Sequence, residues 1–406
     1  MAAIIAPMEW NAAASPLAEL STTSEVSGLG LRSVLTTQVA DVWRLAPEAE
    51  ILLALPTDTA AGAVAGGNVE RIGAVPPPSG VTGATAYRNP ETGGAFVRAG
   101  SPAVLAGYLY TASVWMRRRP NQPSVVGRAI SLVYPTGPGA SSRVDYLMSA
   151  LAQGSDWQRI SVQFRPTVDG NISFSLAVVT GAFEYEAAGA TLVRVAGQTR
   201  LDANLGQDVA CRLLLLAAPR DGILPVADST WRAIGYSAAG AVVHDSGDLP
   251  LAPAPRGRWT CVLPADVVAR RWRIVFGFGP GQPYAQFGRL YIGPALVTSK
   301  AIGFGLQRGA GDLGSNQRSA GSGVRYPARA VTLQQRNWRL PSMNAADAVA
   351  LDDIALLVGA TGQVFAAPSI LAPERDGILG VFRAPPAPRE DNKVFWSADI
   401  SIEEDC

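Results

Sequence analysis

Tyr108-Leu-Tyr110-Thr-Ala-Ser-Val114-Trp-Met116 places Tyr108, Tyr110, Ala112, Val114 and Met116 on one side of an extended chain. Alternation with period two marks a strand that has one face in a core and one in polar surroundings. Trp157-Gln-Arg-Ile160-Ser-Val162-Gln-Phe164 repeats the pattern more cleanly, and Ile172-Ser-Phe174-Ser-Leu176-Ala-Val178 follows it. Between those two lies Val168-Asp169-Gly170-Asn171. Asp-Gly supplies the positive φ of a tight turn, so a hairpin is predicted there.

Outward from this stretch the strand signal continues at 208–216, 230–236, 241–244, 259–263, 272–278 and 290–292. A Gly/Ser/Arg-rich loop is expected over 303–323, then a strand at 330–334 and a closing strand at 394–402. One helix is predicted, capped by Asn344 and ended by Gly359, with Ala350, Ile354, Leu357 and Val358 at helical spacing. Arg-Asp-Gly-Ile-Leu occurs at 220–224 and at 375–379, which reads as reuse of turn chemistry; no fixed repeat period is present.

Composition narrows the function. The 406 residues are 48% hydrophobic and 17% charged, as in a folded chain, and enough for two or three domains. A net charge of +1 gives no overall field for nucleic acid or an anionic membrane. His244 is the single histidine, which excludes multi-His metal sites and leaves one imidazole for any Ser-His or Cys-His scheme. Cys211, Cys261 and Cys406 form no CxxC and no disulfide framework; the first two sit in apolar strands and are expected as buried thiols. No apolar run approaches the ~18–20 residues of a membrane helix, and the N-terminus lacks the basic-then-apolar pattern of a signal peptide. The expectation is a soluble protein made in the cytoplasm.

Three stretches resemble the carbohydrate-binding jelly-roll modules of glycanases and of phage and surface proteins. They are Gly107-Tyr-Leu-Tyr-Thr-Ala-Ser-Val-Trp-Met-Arg, Asp156-Trp-Gln-Arg-Ile-Ser-Val-Gln-Phe and Phe183-Glu-Tyr-Glu-Ala-Ala-Gly-Ala-Thr-Leu-Val-Arg-Val. A second resemblance, to bacteriophage virion proteins, rests on Arg271-Trp-Arg-Ile-Val-Phe followed by Phe287-Gly-Arg-Leu-Tyr-Ile-Gly-Pro-Ala295 and the ordered loop, strand and helix after it. Trp231-Arg-Ala-Ile-Gly-Tyr-Ser and Val243-His-Asp-Ser-Gly suit a galactose-binding-like sandwich.

These resemblances imply a mainly β fold: a jelly-roll sandwich, a galactose-binding-like sandwich and a smaller α+β C-terminal region. Val42-Trp43-Arg44 comes early, while its expected continuation, Leu201-Asp-Ala-Asn-Leu-Gly206, comes after the jelly roll. The implied organisation is a segment 1–56 packing with a sandwich 198–299, a jelly roll 57–197 inserted in a surface loop, and an assembly region 300–406. Loops accept such insertions because closure entropy grows slowly with length.

Candidate sites were weighed by residue type. His244 has Asp245 and Ser246 as sequence neighbours at a strand end, which is a turn arrangement and not a triad. Asp352-Asp353 and Glu403-Glu404-Asp405 read as solvated charge. Glu184 and Glu186 alternate with Phe183 and Tyr185 as an outward face would. Arg117-Arg118-Arg119 reads as a hydrated strand end or subunit contact, and Gly277–Gly281 lacks the spacing of a phosphate loop.

The aromatics remain. A sugar ring stacks an apolar face on Trp or Tyr while its hydroxyls take planar polar partners. Trp115, Trp157 and Tyr146 are the candidate platforms, with Arg117, Arg159 and Asp145 as polar neighbours; core or interface packing is the competing role for each. No catalytic residue, metal or cofactor is expected. The expected protein is a non-enzymatic virion component of the tail tip, fibre or spike class, a symmetric oligomer contacting other virion proteins or a host-surface polysaccharide, with neither nucleic acid nor membrane insertion. A glycan-active enzyme or its accessory module is the alternative.

Overall fold

In a computed structural model the alternating stretches are strands, because each buries one row of side chains and leaves the other outside. The structure describes residues 2–22, 35, 43–46, 48–53, 64–66, 70–81, 84–89, 94–119, 127–137, 139–151, 156–180, 183–219, 222–251, 257–301, 306–312, 315–318, 325–328, 332–392 and 394–404. They form two units, one of Met1–Ala46, Thr199–Ala238 and Val243–Cys406, the other of Pro47–Gln198 with Ala239–Val242. The fold is mainly β, and the strand pairs whose register is described are antiparallel.

The unit 47–198 is a two-sheet sandwich of the jelly-roll kind. One sheet runs Gln158–Phe164, Tyr110–Arg118, Phe183–Arg194, Ala84–Asn89, Glu70–Val75, and Ile51–Leu53 also pairs with Phe183–Arg194. The other runs Ala140–Leu147, Gly127–Gly137, Ser173–Thr180, Gly94–Gly100, Val64–Gly66. Tyr110, Val114, Met116, Ile160, Phe164 and Tyr185 of the first sheet share a core with Ile130, Leu132, Phe174 and Leu176 of the second. Tyr110 stacks on Phe164 at 5.4 Å between ring centroids, fixing the register of their strands.

The hairpin predicted at Asp169-Gly170 is absent. Gln158–Phe164 and Ser173–Thr180 lie in different sheets, and Gly170–Asn171 pairs instead with Ala103–Val104. The Asp169 carboxylate accepts from Ala106 N–H at 2.7 Å, so this segment is a pinned crossover. Asp-Gly announces that the chain can turn, while the partner strand is chosen by distant pairing.

The other unit has two large sheets. In the first the order is Val242–Asp245, Thr230–Tyr236, Arg258–Gly277, Gln198–Ala217, Glu19–Thr22, with Arg289–Gly293 also on Gln198–Ala217. Arg258–Gly277 is one strand run where two were expected at 259–263 and 272–278; its middle, Pro264-Ala-Asp-Val-Val268, is largely exposed, and Pro264 with Asp266 breaks the alternation there. Trp43–Leu45 pairs with Ala285–Phe287, and Trp43 packs edge-on to Phe276 at 6.3 Å.

The second sheet of this unit is ordered Leu296–Ala301, Ala2–Pro7, Gln363–Ala367, Ile378–Phe382, Phe395–Glu404, Thr332–Met343, Gln307–Asp312. Ala2–Pro7 is therefore an interior strand among C-terminal ones. Ile4 and Ala6 pack with Leu213, Leu215 and Tyr291, while Ala3 and Ile5 pack with Ile354, Leu351 and Val358 of the helix Ala345–Val358. A strand covered on both faces has no polar row, hence its continuous apolar run.

The helix begins as predicted: the Asn344 side chain accepts from Asp347 N–H at 2.7 Å, and Gly359 adopts φ 58°. Its buried face is Ala348, Leu351, Ile354, Ala355 and Val358, whereas Leu357, expected inside, is 48% exposed. Within the loop expected at 303–323, Gln307–Asp312 and Ser315–Arg318 are strands and Leu306 packs against the core; 303–305, 313–314 and 319–323, like Cys406, lie outside the described residues. Backbone pairing with Thr332–Met343 and Arg325–Ala328 makes these strands without any apolar pattern. Cys211 and Cys261 are buried thiols, pushed by burial up to about 11. No helix among the described residues is long and apolar enough to cross a membrane.

Candidate functional site

Because Tyr110, Ala112, Val114 and Met116 face the jelly-roll core, the intervening Ser113, Trp115 and Arg117 face away from it. The neighbouring strand does the same: Ile160, Val162 and Phe164 point in, so Arg159 points out. Trp115 stands directly opposite Arg159 across the ladder, and Arg117 opposite Glu186 on the other side. The pairing with Phe183–Arg194 shifts register between Ser113 and Trp115, a bulge that contains Gly189 at φ 55°. A Cβ on Gly189 would sit 2.9 Å from Val81 Cγ1, so the positive φ and the close Val81 side chain both call for glycine beside Trp115.

Beside this pair runs a ladder of charge. The Arg117 guanidinium lies 4.7 Å from the Trp157 ring centroid and donates to Glu186 Oε2. Arg119 donates to Glu186 Oε1 at 3.1 Å and to Glu184 Oε2 at 3.1 Å, and Arg88 donates to Glu184 Oε1 at 2.7 Å. The bond from Arg88, reinforced by Arg119, holds the Glu184 carboxyl below the usual carboxylate range against the opposing effect of burial. Glu186 raises Arg119 in turn. Glu186 is only 5% exposed, so this carboxylate is roofed by arginines where a hydrated outward face was expected. The Arg117-Arg118-Arg119 run is likewise split by strand alternation: Arg118 is 5% exposed, its guanidinium 5.5 Å from the Phe183 ring.

Of the expected platform residues, Trp115, Trp157 and Arg159 come together on this face. Asp145 and Tyr146 do not. They lie on Ala140–Leu147, the edge strand of the opposite sheet, where Tyr146 packs against the core. The Asp145 carboxylate is engaged by Arg128 at 2.7 Å, Arg143 at 3.1 Å and Ser131 Oγ at 2.8 Å. Trp157 offers one ring face at most, because Arg117 takes the other.

Around His244 the neighbours have separate duties. Asp245 forms a two-pronged pair with Arg232 at 2.8 and 2.5 Å, and Ser246 Oγ accepts from Ala233 N–H while donating to Gly247 O. The imidazole leans on Trp272, ring centroids 5.9 Å apart, and burial lowers its pKa. Nothing here delivers a proton from Ser246 to His244.

In the unit of 1–46, 199–238 and 243–406, a cavity of about 1040 Å³ is lined by Trp10, Asn11, Gln207, Val209, Arg289 and Gln363 among others. Sequence reasoning missed it, because its walls come from segments over 350 residues apart. Its polar groups serve the fold: Asn11 bonds Leu290 O and Ile292 N–H, and Arg289 donates to Gln363 at 2.6 Å. Among the described residues no three His, Cys, Asp or Glu side chains are grouped to hold a metal ion.

No protein-family model matches the chain, and no curated protein does. Solved structures with some likeness include the tandem CBM22 domains of Xyn10C from Paenibacillus barcinonensis, at 8% identity over 62% of this chain and 99% of that one, TM-score 0.29. Another is allantoicase from Saccharomyces cerevisiae, at 9% identity over 50% and 78%, TM-score 0.18. A third is the fucolectin of striped bass, Morone saxatilis, at 10% identity over 71% and 98%, TM-score 0.17. At these TM-scores they add nothing to the fold read from the sheets.

Proposed function

We propose that this protein is a non-catalytic adhesion component that takes a glycan on the outer face of the Trp115 sheet. The observation that carries the reading is the cluster of Trp115, Trp157 and Arg159 on one face, beside a fixed ladder of guanidinium and carboxylate groups. Ring platforms beside planar, pre-positioned polar groups are what saccharide recognition requires. Ordered cross-strand bonds also limit the side-chain entropy lost on binding.

From the sequence resemblance to phage virion proteins we propose further that this adhesin belongs to a bacteriophage tail tip, fibre or spike, is made in the host cytoplasm and assembles as a symmetric oligomer with other virion proteins. Weak sites repeated by symmetry give strong attachment by avidity. The test is titration of the purified chain with bacterial surface polysaccharides, with hydrolysis followed in the same samples. Saturable binding without cleavage, weakened about tenfold by Trp115→Ala, is the expected result; that loss is roughly 1.4 kcal/mol. Cleavage would favour a glycan-active enzyme, and binding indifferent to Trp115→Ala and Trp157→Ala would refute this face. Immunogold labelling of particles tests the virion assignment, and an unlabelled tail refutes it.

A further inference from the structure

The four guanidiniums on the proposed glycan face are not equivalent. Arg88, Arg117 and Arg119 are tied to Glu184 and Glu186. Arg159 is exposed, and its hydrogen bond goes to a neutral group, Ser113 Oγ, at 3.3 Å. Ser113 is itself bonded to Thr191 Oγ1 at 2.8 Å. Among the described residues, the guanidinium of this face that is bonded to no carboxylate is the one directly opposite Trp115. Residues opposed in this way hold their Cβ atoms about 5 Å apart, so a single sugar residue can span both side chains.

We infer that the ligand of this face is an acidic glycan, with the ring of a uronic acid on Trp115 and its carboxylate on Arg159. The inference rests on the glycan reading given above. A guanidinium presents a planar fork that matches a carboxylate with two parallel bonds, and a hydroxyl partner leaves that capacity largely unused. Arg117 is unsuited to the task, since Trp157 and Glu186 already occupy it. The buried Ser113 hydroxyl, bonded to Thr191 and to Arg159, holds the Arg159 guanidinium beside Trp115. A neutral glycan on the same indole would bury an arginine against groups that return no charge, which costs affinity.

The experiment uses the full chain and a panel of galacturonate, glucuronate and mannuronate oligosaccharides, each beside its carboxyl-reduced neutral counterpart. Affinities are measured by calorimetry at two salt concentrations for the wild type, Arg159→Gln and Trp115→Ala, with thermal unfolding to confirm that each is folded. The wild type should prefer at least one acidic member over its neutral form about tenfold, and salt should shrink the preference. Arg159→Gln should weaken acidic binding about tenfold and so bring the acidic-to-neutral ratio to within about twofold of unity, and Trp115→Ala should weaken both forms. Equal binding of acidic and neutral forms by the wild type overturns the inference but leaves the glycan reading standing. So does a preference that survives Arg159→Gln. No binding of any member by the wild type overturns both.

Discussion

Excising residues 47–198 and joining Ala46 to Thr199 through three Gly/Ser residues should leave both parts folded. The ends of the excised unit meet: Glu48 N–H donates to Gln198 O at 3.1 Å, and Gly197 N–H donates to Glu48 O at 2.9 Å. Strands paired in that manner hold their Cα atoms about 5 Å apart, and a three-residue linker reaches about 10 Å. Among the described residues, none of the core around Trp43, Trp231 and Phe276 comes from 47–198, and the core around Tyr110 and Phe174 is drawn from 47–198 alone. Where 47–198 is unfolded and acts as a flexible loop, shortening the connection from about 150 residues to three spans between five and six halvings of about 0.6 kcal/mol each, so closure becomes cheaper by roughly 3 kcal/mol; where it is folded its ends already meet and closure is unchanged. The remainder should therefore melt cooperatively, no lower than its transition in the intact chain. The isolated 47–198 fragment, about 150 residues, should show its own transition. Calorimetry and near-ultraviolet circular dichroism on all three proteins decide it. An aggregated remainder, or a fragment without near-ultraviolet signal, refutes the argument.

Other substitutions probe separate parts of the structure. Phe276→Ala removes a ring fully buried among Trp43, Phe278 and Phe287 and should cost about 3–5 kcal/mol in denaturant unfolding; a loss below about 1 kcal/mol would mean the cavity collapses freely. Asn344→Ala deletes the acceptor for Asp347 N–H and should cost about 1 kcal/mol, whereas Asn344→Ser should restore most of it; equal losses would remove the cap from the account. Burial holds the pKa of the folded His244 imidazole below the ordinary 6.5, so its contribution is present above that value and is lost as pH falls through it toward the folded pKa. His244→Gln should flatten stability between about pH 7 and 5 in urea unfolding, and an unchanged slope would exclude this histidine as the source.

Local pattern was enough for much of this protein. Period-two alternation put Trp115 and Arg159 on the solvent side of their strands, because side-chain direction along a strand depends on parity alone. Asn344 and Gly359 bounded the helix, since capping is a matter between a residue and its nearest neighbours. Tertiary structure decided which strands pair. It separated the two strands flanking Asp169-Gly170 into opposite sheets, and it set Ala2–Pro7 between Leu296–Ala301 and Gln363–Ala367. It also sent Asp145 and Tyr146 to the sheet opposite Trp115, although spacing along the chain is similar for all of them. The reason is physical: a strand's backbone groups can bond any other strand, and the choice is made by the buried area and hydrogen bonds of the whole assembly. Residue chemistry and parity are local properties, whereas the partner of a strand is a property of the entire fold.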